Sequence, residues 1–287
     1  MADQDGDGWA HCDRGHTHWG RFGAVGLLAY YGSGAADSRV LLVRRSFWSQ
    51  HGGTWGPPGG ARDSDEPPLA GALREAAEEC GLPPGAVEVQ GVLRDDHGGW
   101  SYQTFVARAG EMLPLLPASA EVSKVVWADP AQVATMRLHP GFAASWPVLI
   151  QALTPVSVVV DVANVMGARA DGWWRDRPGA ARRLHDQIAV LADRGLDSLP
   201  LPLPALDQWF PDFVLVTEGA ARRAQFPPAA HVQVVAAPAS GDDTIAAQAA
   251  ALPGHRLVVT ADRELRRRCQ SAGAAVTGPS WLLSQLG

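Results

Sequence analysis

Short apolar runs dominate the hydrophobic pattern of this 287-residue chain. In the N-terminal half, the segments FGAVGLLAYY, RVLLVRRS, YQTFVARA and VSKVVWA predict β-strands. One helix is predicted within residues 60–82, with Asp63 or Ser64 as its N-cap and Gly81 as its stop. The apolar segment GFAASWPVLIQAL predicts a further helix. It meets a Thr-Pro pair at 154–155, where we expect the first domain to end because proline disfavours helix at the preceding residue.

The pattern changes after this point. The apolar runs VSVVVDV, DFVLVTE, HVQVVAA, RLVVTAD and AAVTG alternate with helices predicted near 179–194, 242–251, 262–272 and 279–286. Continuous apolar runs separated by helices indicate a parallel sheet covered on both faces. We therefore predict a two-domain α/β protein, with an N-terminal extension over 1–17 and domains over 18–153 and 156–287.

Composition and charge narrow the class of protein. The net charge is −6, and the residues from Val156 onward carry 13 Arg against 13 acidic residues, so the excess charge lies in the N-terminal part. Neither half has the basic character of a dedicated nucleic-acid binder. The apolar runs are too short to span a bilayer, the N-terminus lacks a signal layout, and the three cysteines are scattered. We expect a cytoplasmic protein that does not contact a membrane.

Three carboxylates cluster on the first predicted helix. Glu75, Glu78 and Glu79 stand at i, i+3 and i+4 and therefore share one face, where like charges cost about 0.2–0.5 kcal/mol per pair. A hard divalent cation such as Mg²⁺ reverses this penalty, since it prefers oxygen ligands. Arg74 can pair with Glu78 at i,i+4. A solvated acidic helix face is the alternative explanation of the cluster.

The residues around these carboxylates resemble the signature motif of the Nudix hydrolase family. The matching positions are Gly60, Glu66, Arg74, Glu75, Ala76, Glu78, Glu79, Gly81 and Leu82. The resemblance spans roughly 18–150 and implies an α/β/α sandwich with a mixed sheet. It also implies Mg²⁺- or Mn²⁺-dependent hydrolysis of a nucleoside diphosphate linked to another moiety.

The same resemblance implies roles for individual residues. The implied metal ligands are Glu75, Glu78, Glu79, Gly60 and Glu121, with Glu78 or Glu79 nearest the attacking water. Arg74, which is grouped with the catalytic residues, braces these carboxylates together with Glu66. A nucleotide sensor that binds without turnover is the alternative.

Acidic residues also follow the predicted strands of the C-terminal half. Asp161 ends VSVVVD, Asp242 and Asp243 open the helix after HVQVVAA, and Asp262 follows RLVVTA. Ligands of open parallel sheets lie outside this edge. No G-x-G-x-x-G follows the first strand, which argues against a dinucleotide site. Asp and Asn at strand ends are also ordinary capping and turn residues.

The D-x-x-N sequence that begins at Asp161, together with SGDDTI and TADREL, resembles the NYN branch of the PIN-like nucleases. This resemblance covers about 155–287 and implies a Rossmannoid parallel-sheet domain that cleaves RNA. It implies Mg²⁺ binding by Asp161, Asp243 and Asp262, with Asn164 and Asp242 in support. RNA binding without cleavage, binding of a protein partner and a purely structural role are the alternatives.

Two further groups of residues are ambiguous in the sequence. Arg175, Arg177, Arg182 and Arg183 stand beside Trp173 and Trp174, which suits RNA phosphates and bases but equally suits a solvated helix face. The segment HCDRGHTH offers His11, Cys12, His16 and His18 as zinc ligands. It lacks a second well-spaced ligand pair, so we predict an N-terminal loop, and the sequence leaves zinc binding open.

Overall fold

The computed structural model describes residues 5–170 and 172–286, and the chain forms two compact units. The first unit consists of Met1–Leu153 and Pro204–Asp207, and the second of Thr154–Leu203 and Gln208–Gly287. Residues 1–4 of the expected N-terminal extension lie outside the described residues.

A mixed sheet forms the centre of the first unit. Strands β1 (Trp9–His11) and β2 (Thr17–Trp19) form a separate two-stranded sheet. The strands that this unit contributes to the mixed sheet are β3 (Ala24–Tyr31), β4 (Arg39–Arg45), β5 (Trp55–Gly56), β6 (Gly59–Ala61), β7 (Val87–Asp96), β8 (Ser101–Ala109) and β9 (Val122–Ala128). Strand β3 runs parallel to β8 and antiparallel to β4 and β6, β7 is antiparallel to β8, and β5 and β9 are antiparallel to β4. The mixed sheet expected for the N-terminal half is therefore present.

The helices of the first unit are α1 (Pro68–Cys80), α2 (Pro130–Val133) and α3 (Pro140–Leu149), with 3₁₀ turns at Pro84–Ala86 and Ile150–Ala152. Helix α1 lies against β3 and β6. Small residues of the helix, Ala72 and Ala76, are fully buried, so its backbone approaches the sheet closely. Strand β7 was not predicted, because its VEVQGVLRDD sequence carries several polar residues and a bulge between Val89 and Gly91.

The N-terminal segment is more ordered than the predicted loop. Strands β1 and β2 pair antiparallel, with Ala10 opposite His18. The turn between them closes through hydrogen bonds from Cys12 N to His16 O and from Gly15 N to Cys12 O, both 3.0 Å long. The prediction of an irregular loop was therefore wrong for this segment.

The second unit contains a five-stranded parallel sheet. The strands of this sheet are β10 (Val156–Asp161), β12 (Asp212–Thr217), β13 (Val232–Ala236), β14 (His255–Val259) and β15 (Ala275–Thr277), and the short strand β11 (Gln208–Trp209) of the same unit is not part of it. The helices of this unit are α4 (Val162–Gly167), α5 (Arg177–Arg194), α6 (Gly241–Ala251), α7 (Arg263–Ser271) and α8 (Pro279–Leu286), with 3₁₀ turns at Trp173–Arg175 and Gly219–Arg223. The strand order is β13-β12-β10-β14-β15, and every pairing in it is parallel.

Strand β10 occupies the centre of this sheet. All its residues are buried, as expected for a strand covered on both faces. The side chains of Val159, Val214, Val258, Ile245 and Leu265 form one core cluster between the sheet and helices α6 and α7. Because β10 lies between β12 and β14, it marks the topological switch point, outside which open α/β sheets bind their ligands.

Candidate active site and strand-end carboxylates

Helix α1 carries the carboxylates of the first unit. The helix starts after Pro67, which has no side-chain cap, so the expected capping role of Asp63 or Ser64 is wrong. The Asp63 carboxylate instead accepts a hydrogen bond from Gly6 N at 3.0 Å. Gly81 ends the helix in the left-handed conformation, φ 73°, which costs glycine little.

Arg74 is the hub of a network of hydrogen bonds among the acids. Its guanidinium donates to Glu66 through Nε (2.8 Å) and Nη2 (3.0 Å), and to Glu75 Oε1 through Nη1 (2.8 Å). The expected contact with Glu78 is present at 3.3 Å and is the longest of these. Nη2 also donates to the carbonyl of Ala61. The network fixes Glu66 and Glu75 more firmly than Glu78, whose side chain is 49% exposed.

Glu79 and Glu75 are carboxylates in a largely buried setting. Glu79 is 6% exposed and accepts one hydrogen bond, from Gly59 N at 3.0 Å. Burial raises the pKa of Glu79 to about 8 and that of Glu75 to about 7, and the neighbouring acids add to both shifts. Without a cation, this arrangement therefore disfavours the charged forms of both groups.

Two further predicted ligands lie near this pair. A Cβ atom on Gly60 would stand 2.6 Å from Glu75 Oε1, so a side chain at this position would displace that carboxylate. Glu121 is exposed, and its charge contributes to the raised pKa of both Glu75 and Glu79. The structure thus brings Gly60 and Glu121 into the surroundings of the α1 carboxylates, namely Glu75, Glu78 and Glu79.

The chemistry of the side chains near Glu75 and Glu79 shows whether a divalent cation would fit there. The side chains gathered here offer carboxylate oxygens, the ligand type that Mg²⁺ and Mn²⁺ prefer. Glu79 lines the wall of the neighbouring cavity, and Glu75 is held beside it by Arg74. A cation at these residues would favour the charged forms that burial and the neighbouring acids disfavour. The residues present therefore fit the metal that the motif implies.

A cavity of about 640 Å³ opens beside Glu79 and Gly60. Its wall includes aromatic and imidazole rings as well as arginine side chains, among them His18, Trp100, Tyr102, His139, Phe142 and Arg45. Burial raises the pKa of the Tyr102 hydroxyl, which therefore keeps its proton. Burial also lowers the pKa of His139 to about 4, so that its ring is neutral near pH 7.

Of these six side chains, only His18 was a candidate in the sequence, and there as a zinc ligand. The six come from β2, β4, β8, α3 with its N-cap, and the turn before β8, and only the folded sheet brings these segments together. Arg45 could have been noticed in the sequence, because it stands at the end of a predicted apolar strand. Its side chain donates to Gln50 O at 2.9 Å, and its charge opposes the pKa rise of Glu79.

In the second unit, Asp161 is the most buried of the predicted acids. It is 5% exposed, and burial raises its pKa. Its Oδ1 accepts a hydrogen bond from Asn164 N at 3.0 Å, and its Oδ2 accepts from Asn164 Nδ2 and from Thr260 Oγ1, each at 2.8 Å. Asn164 thus supports Asp161 directly, and Asp161 also caps α4.

Asp242 and Asp243 have opposite surroundings. Burial raises the pKa of Asp242, and the charges of Asp161, Asp262 and Glu218 raise it further. Asp242 therefore faces these three acids. Asp243 instead pairs with Arg268 at 2.7 Å. In the sequence analysis Asp243 was an expected metal ligand and Asp242 a supporting residue, whereas here Asp242 is the one that faces the other acids. Asp242 and Asp243 are adjacent in α6, and side chains at adjacent positions of a helix point about 100° apart.

Glu218 was missed in the sequence. It directly follows β12, so the strand-end rule that selected the other acids applies to it equally. One of its oxygens accepts from Gly241 N at 2.9 Å. Asp262 caps α7 by accepting from Leu265 N at 2.7 Å. We call Asp161, Glu218, Asp242 and Asp262 the strand-end acids.

Some of the arginines and tryptophans that were considered for RNA binding make contacts within the protein. Arg182 donates to both oxygens of Asp186 and to Gln225 O. The Arg177 guanidinium lies 5.3 Å from the centre of the Trp173 ring. Trp174 is 57% exposed.

Comparison with known proteins agrees with the site in the first unit. The family model described as the NUDIX domain matches residues 21–149. A Mycobacterium tuberculosis protein named "Putative 8-oxo-dGTP diphosphatase 3" is 47% identical over 148 residues, which cover 50% of this chain and 68% of that protein. A Bifidobacterium longum nucleoside triphosphate pyrophosphatase/Nudix hydrolase fusion protein is 37% identical over 148 residues, which are 50% of this chain and 31% of the fusion protein.

Among solved structures, the Mycobacterium smegmatis Nudix hydrolase RenU is 42% identical and matches 50% of this chain and 91% of its own, with a TM-score of 0.45. The sequence identity to the Mycobacterium tuberculosis protein over two thirds of its length decides the family. The chain belongs to the Nudix hydrolase family, whose members act on phosphoric anhydride bonds. Within the described residues, no helix is both long and apolar enough to cross a membrane.

Proposed function

We propose that the first unit hydrolyses an anhydride bond of a purine nucleoside triphosphate with Mg²⁺ or Mn²⁺ held by the α1 carboxylates. The observation that carries this proposal is the burial of Glu79 and the near-burial of Glu75 beside the cavity of about 640 Å³. The charged forms of neighbouring carboxylates at the wall of a substrate-sized cavity are unfavourable until a cation binds between them. Gly60, through its carbonyl, and Glu121 are proposed as additional ligands.

In this proposal the side chains of the site have defined roles. A bound metal would supply charge neutralisation on the phosphates and a more acidic water. Glu79, whose carboxylate lies at the cavity wall, accepts the proton of the attacking water. Arg74 and Glu66 hold Glu75 in position through the hydrogen bonds at 2.8–3.0 Å. Arg45 binds a phosphate oxygen from the cavity wall.

The nucleoside is proposed to lie against the ring-lined wall of the cavity. Trp100 and Phe142 provide apolar surface, and the neutral His139 provides a hydrogen-bonding group. The family alone implies only a nucleoside diphosphate linked to another moiety. The name of the Mycobacterium tuberculosis relative makes 8-oxo-dGTP the first nucleotide to test.

Product analysis with a panel of nucleotides tests the proposal. The panel contains 8-oxo-dGTP, unmodified nucleoside triphosphates, dinucleotides, sugar nucleotides and capped RNA, each with Mg²⁺ or Mn²⁺. We expect a nucleoside monophosphate and pyrophosphate from a purine triphosphate, with 8-oxo-dGTP turned over fastest. Turnover confined to sugar nucleotides or dinucleotides would refute the substrate class. Tight binding without any product would identify a nucleotide sensor instead.

For the second unit we propose a PIN-like domain over 156–287 that cleaves RNA with Mg²⁺, following a Nudix domain over 18–153 and an extension over 1–17. The four strand-end acids support this proposal, because they meet at the switch point of the parallel sheet, the usual place of a ligand. Asp161, Asp242 and Asp262 are the proposed ligands, with Glu218 beside them and Asn164 in support. Asp243 is proposed to act only through its ion pair with Arg268.

Replacing Asp161 and Asp262 together by Asn tests the nuclease proposal. Asn caps helices about as well as Asp, so the fold should persist while two negative charges are lost. We expect RNA cleavage to fall by about 10²-fold or more while nucleotide hydrolysis is unchanged. The control is Asp193→Asn, since Asp193 is an exposed acid of α5. Equal cleavage by the double variant and the wild type would refute the nuclease, and RNA binding without cleavage by the wild type would assign a binding role.

A further inference from the structure

The turn of the β1–β2 hairpin lies against the turn that joins β7 to β8. Asp13 N donates to Gly98 O at 2.9 Å, and His97 N donates to Trp100 O, also at 2.9 Å. Gly98 and Gly99 have φ values of 72° and 70°, a conformation that L side chains rarely adopt. A Cβ atom on Gly98 would stand 2.6 Å from Asp13 Oδ2, so the two turns touch.

This contact brings together three ligands of the hairpin and one from the distant turn. The potential ligand atoms of Cys12, His16, His18 and His97 all lie within 4.8 Å of one another. A tetrahedral zinc ion with bonds of about 2.0–2.3 Å holds its ligand atoms roughly 3.3–3.8 Å apart. Small side-chain rotations therefore suffice to close the four residues, which we call the Cys–His cluster, around one ion.

Two ring nitrogens of the cluster have no hydrogen-bond partner although they are buried. These atoms are Nε2 of His18 and Nδ1 of His97. A buried polar atom without a partner costs about 1–3 kcal/mol, so such atoms are uncommon in folded proteins. Two of them in one cluster of imidazoles and a thiol point to a shared ligand that binds nitrogen.

The other nitrogen of His97 is engaged as expected for a metal ligand. His97 Nε2 lies 3.0 Å from Asp95 Oδ2. A histidine that binds a metal commonly donates its second N–H to a carboxylate, which fixes the tautomer and the ring orientation. The orientation of the His18 ring is fixed differently, by stacking on Trp100 with a centroid distance of 4.0 Å.

We propose that Cys12, His16, His18 and His97 bind a structural zinc ion. One thiolate and three imidazoles suit Zn²⁺, whereas the carboxylates of α1 suit Mg²⁺, so the first unit contains two sites of different chemistry. Four protein ligands complete a tetrahedral site, which leaves no open position for a substrate. His11 is excluded, because its Nδ1 lies 3.2 Å from Thr17 Oγ1 and it does not belong to the cluster.

The zinc ion would stabilise one wall of the cavity. His18, Asp95, His97 and Trp100 all line it, so loss of the ion would loosen the surface against which a base could lie. This consequence rests on the proposed function, under which we expect a higher KM with a smaller change in kcat. Zinc binding itself does not depend on any enzymatic activity.

Metal analysis of the full chain, purified without a histidine tag, tests the proposal. We expect about one zinc ion per chain in the wild type and in His11→Ala, and a loss of at least about tenfold in zinc affinity in Cys12→Ser and His97→Ala. His11→Ala is the matched control, since His11 belongs to the same hairpin. The Co²⁺-substituted wild type should show the absorption of a tetrahedral site with a sulfur-to-cobalt charge-transfer band.

The cobalt spectrum keeps the proposal testable if a variant fails to fold, because the wild type alone then reports thiolate ligation. Cys269→Ser should leave that band unchanged, since Cys269 is a buried residue of the second unit. Absence of zinc from the wild type after growth with added zinc would overturn the proposal. Retention of the charge-transfer band in Cys12→Ser, or equal loss of zinc in His11→Ala, would also overturn it.

Discussion

Replacing Glu79 by Gln is expected to lower kcat for anhydride hydrolysis by about 10²–10⁴-fold, the usual contribution of a general base. Gln has nearly the same shape and can still accept the hydrogen bond from Gly59 N, so the β6 backbone should remain in place. The substitution removes a buried charge that binds metal and accepts a proton. Steady-state kinetics at saturating Mg²⁺ measure the change, and nucleotide binding by calorimetry should persist.

The matched control is Glu111→Gln, because Glu111 is an exposed acid that follows β8 in the same unit. Its kcat should equal that of the wild type. Activity of Glu79→Gln within a factor of about two of the wild type would show that Glu79 takes no part in the chemistry. In that case Glu78, the more exposed acid of the same face, would be the remaining candidate base.

Replacing Arg74 by Met is expected to lower the free energy of unfolding by about 2–4 kcal/mol in the absence of divalent cations. Glu66 and Glu75 have side chains that are 15% and 14% exposed, and the Arg74 guanidinium donates the shortest hydrogen bonds of both carboxylates, 2.8 Å each. Removing one partner of a mostly buried ion pair leaves uncompensated charge, which costs more than the pair contributes. Urea unfolding, followed by circular dichroism, measures the loss.

Two further variants show whether the loss of stability comes from the ion pairs of Arg74. Arg108→Met removes an ion pair with Glu88, whose side chain is 65% exposed, and should cost less than about 1 kcal/mol. Arg74→Lys keeps the charge but not the planar group that contacts Glu66 twice, and should fall between Arg74→Met and the wild type. Equal urea midpoints for Arg74→Met and the wild type would contradict the bracing role.

The sequence predicted the parts of the site that depend on local spacing. The period of a helix brings Glu75, Glu78 and Glu79 to one face, and Gly81 marks its end. The same local reasoning gave the contact of Arg74 with Glu78. It did not give the closer contact with Glu66, which lies in a loop before the helix. The family resemblance implied that Arg74 and Glu66 both brace the carboxylates, but not that they contact each other.

Other features depend on register and long-range pairing, which the sequence does not reveal. Adjacent positions of a helix differ by about 100°, so the exact start of α6 decides whether Asp242 or Asp243 faces the other acids. His97 joins the cysteine and histidines of the hairpin only because the β7–β8 turn touches the β1–β2 turn. The ring-lined cavity likewise required the folded sheet.

We have proposed that the α1 carboxylates form a divalent metal site. Calorimetric titration of Mn²⁺ into the zinc-loaded chain, with a nonhydrolysable nucleotide present, tests it most directly. The titration is performed in two buffers of different ionisation enthalpy, at a pH near the pKa of Glu75, about 7. We predict saturable Mn²⁺ binding with net release of protons from Glu75 and Glu79, and loss of that binding on substitution of both residues by Gln. Absence of Mn²⁺ uptake by the wild type would contradict the account.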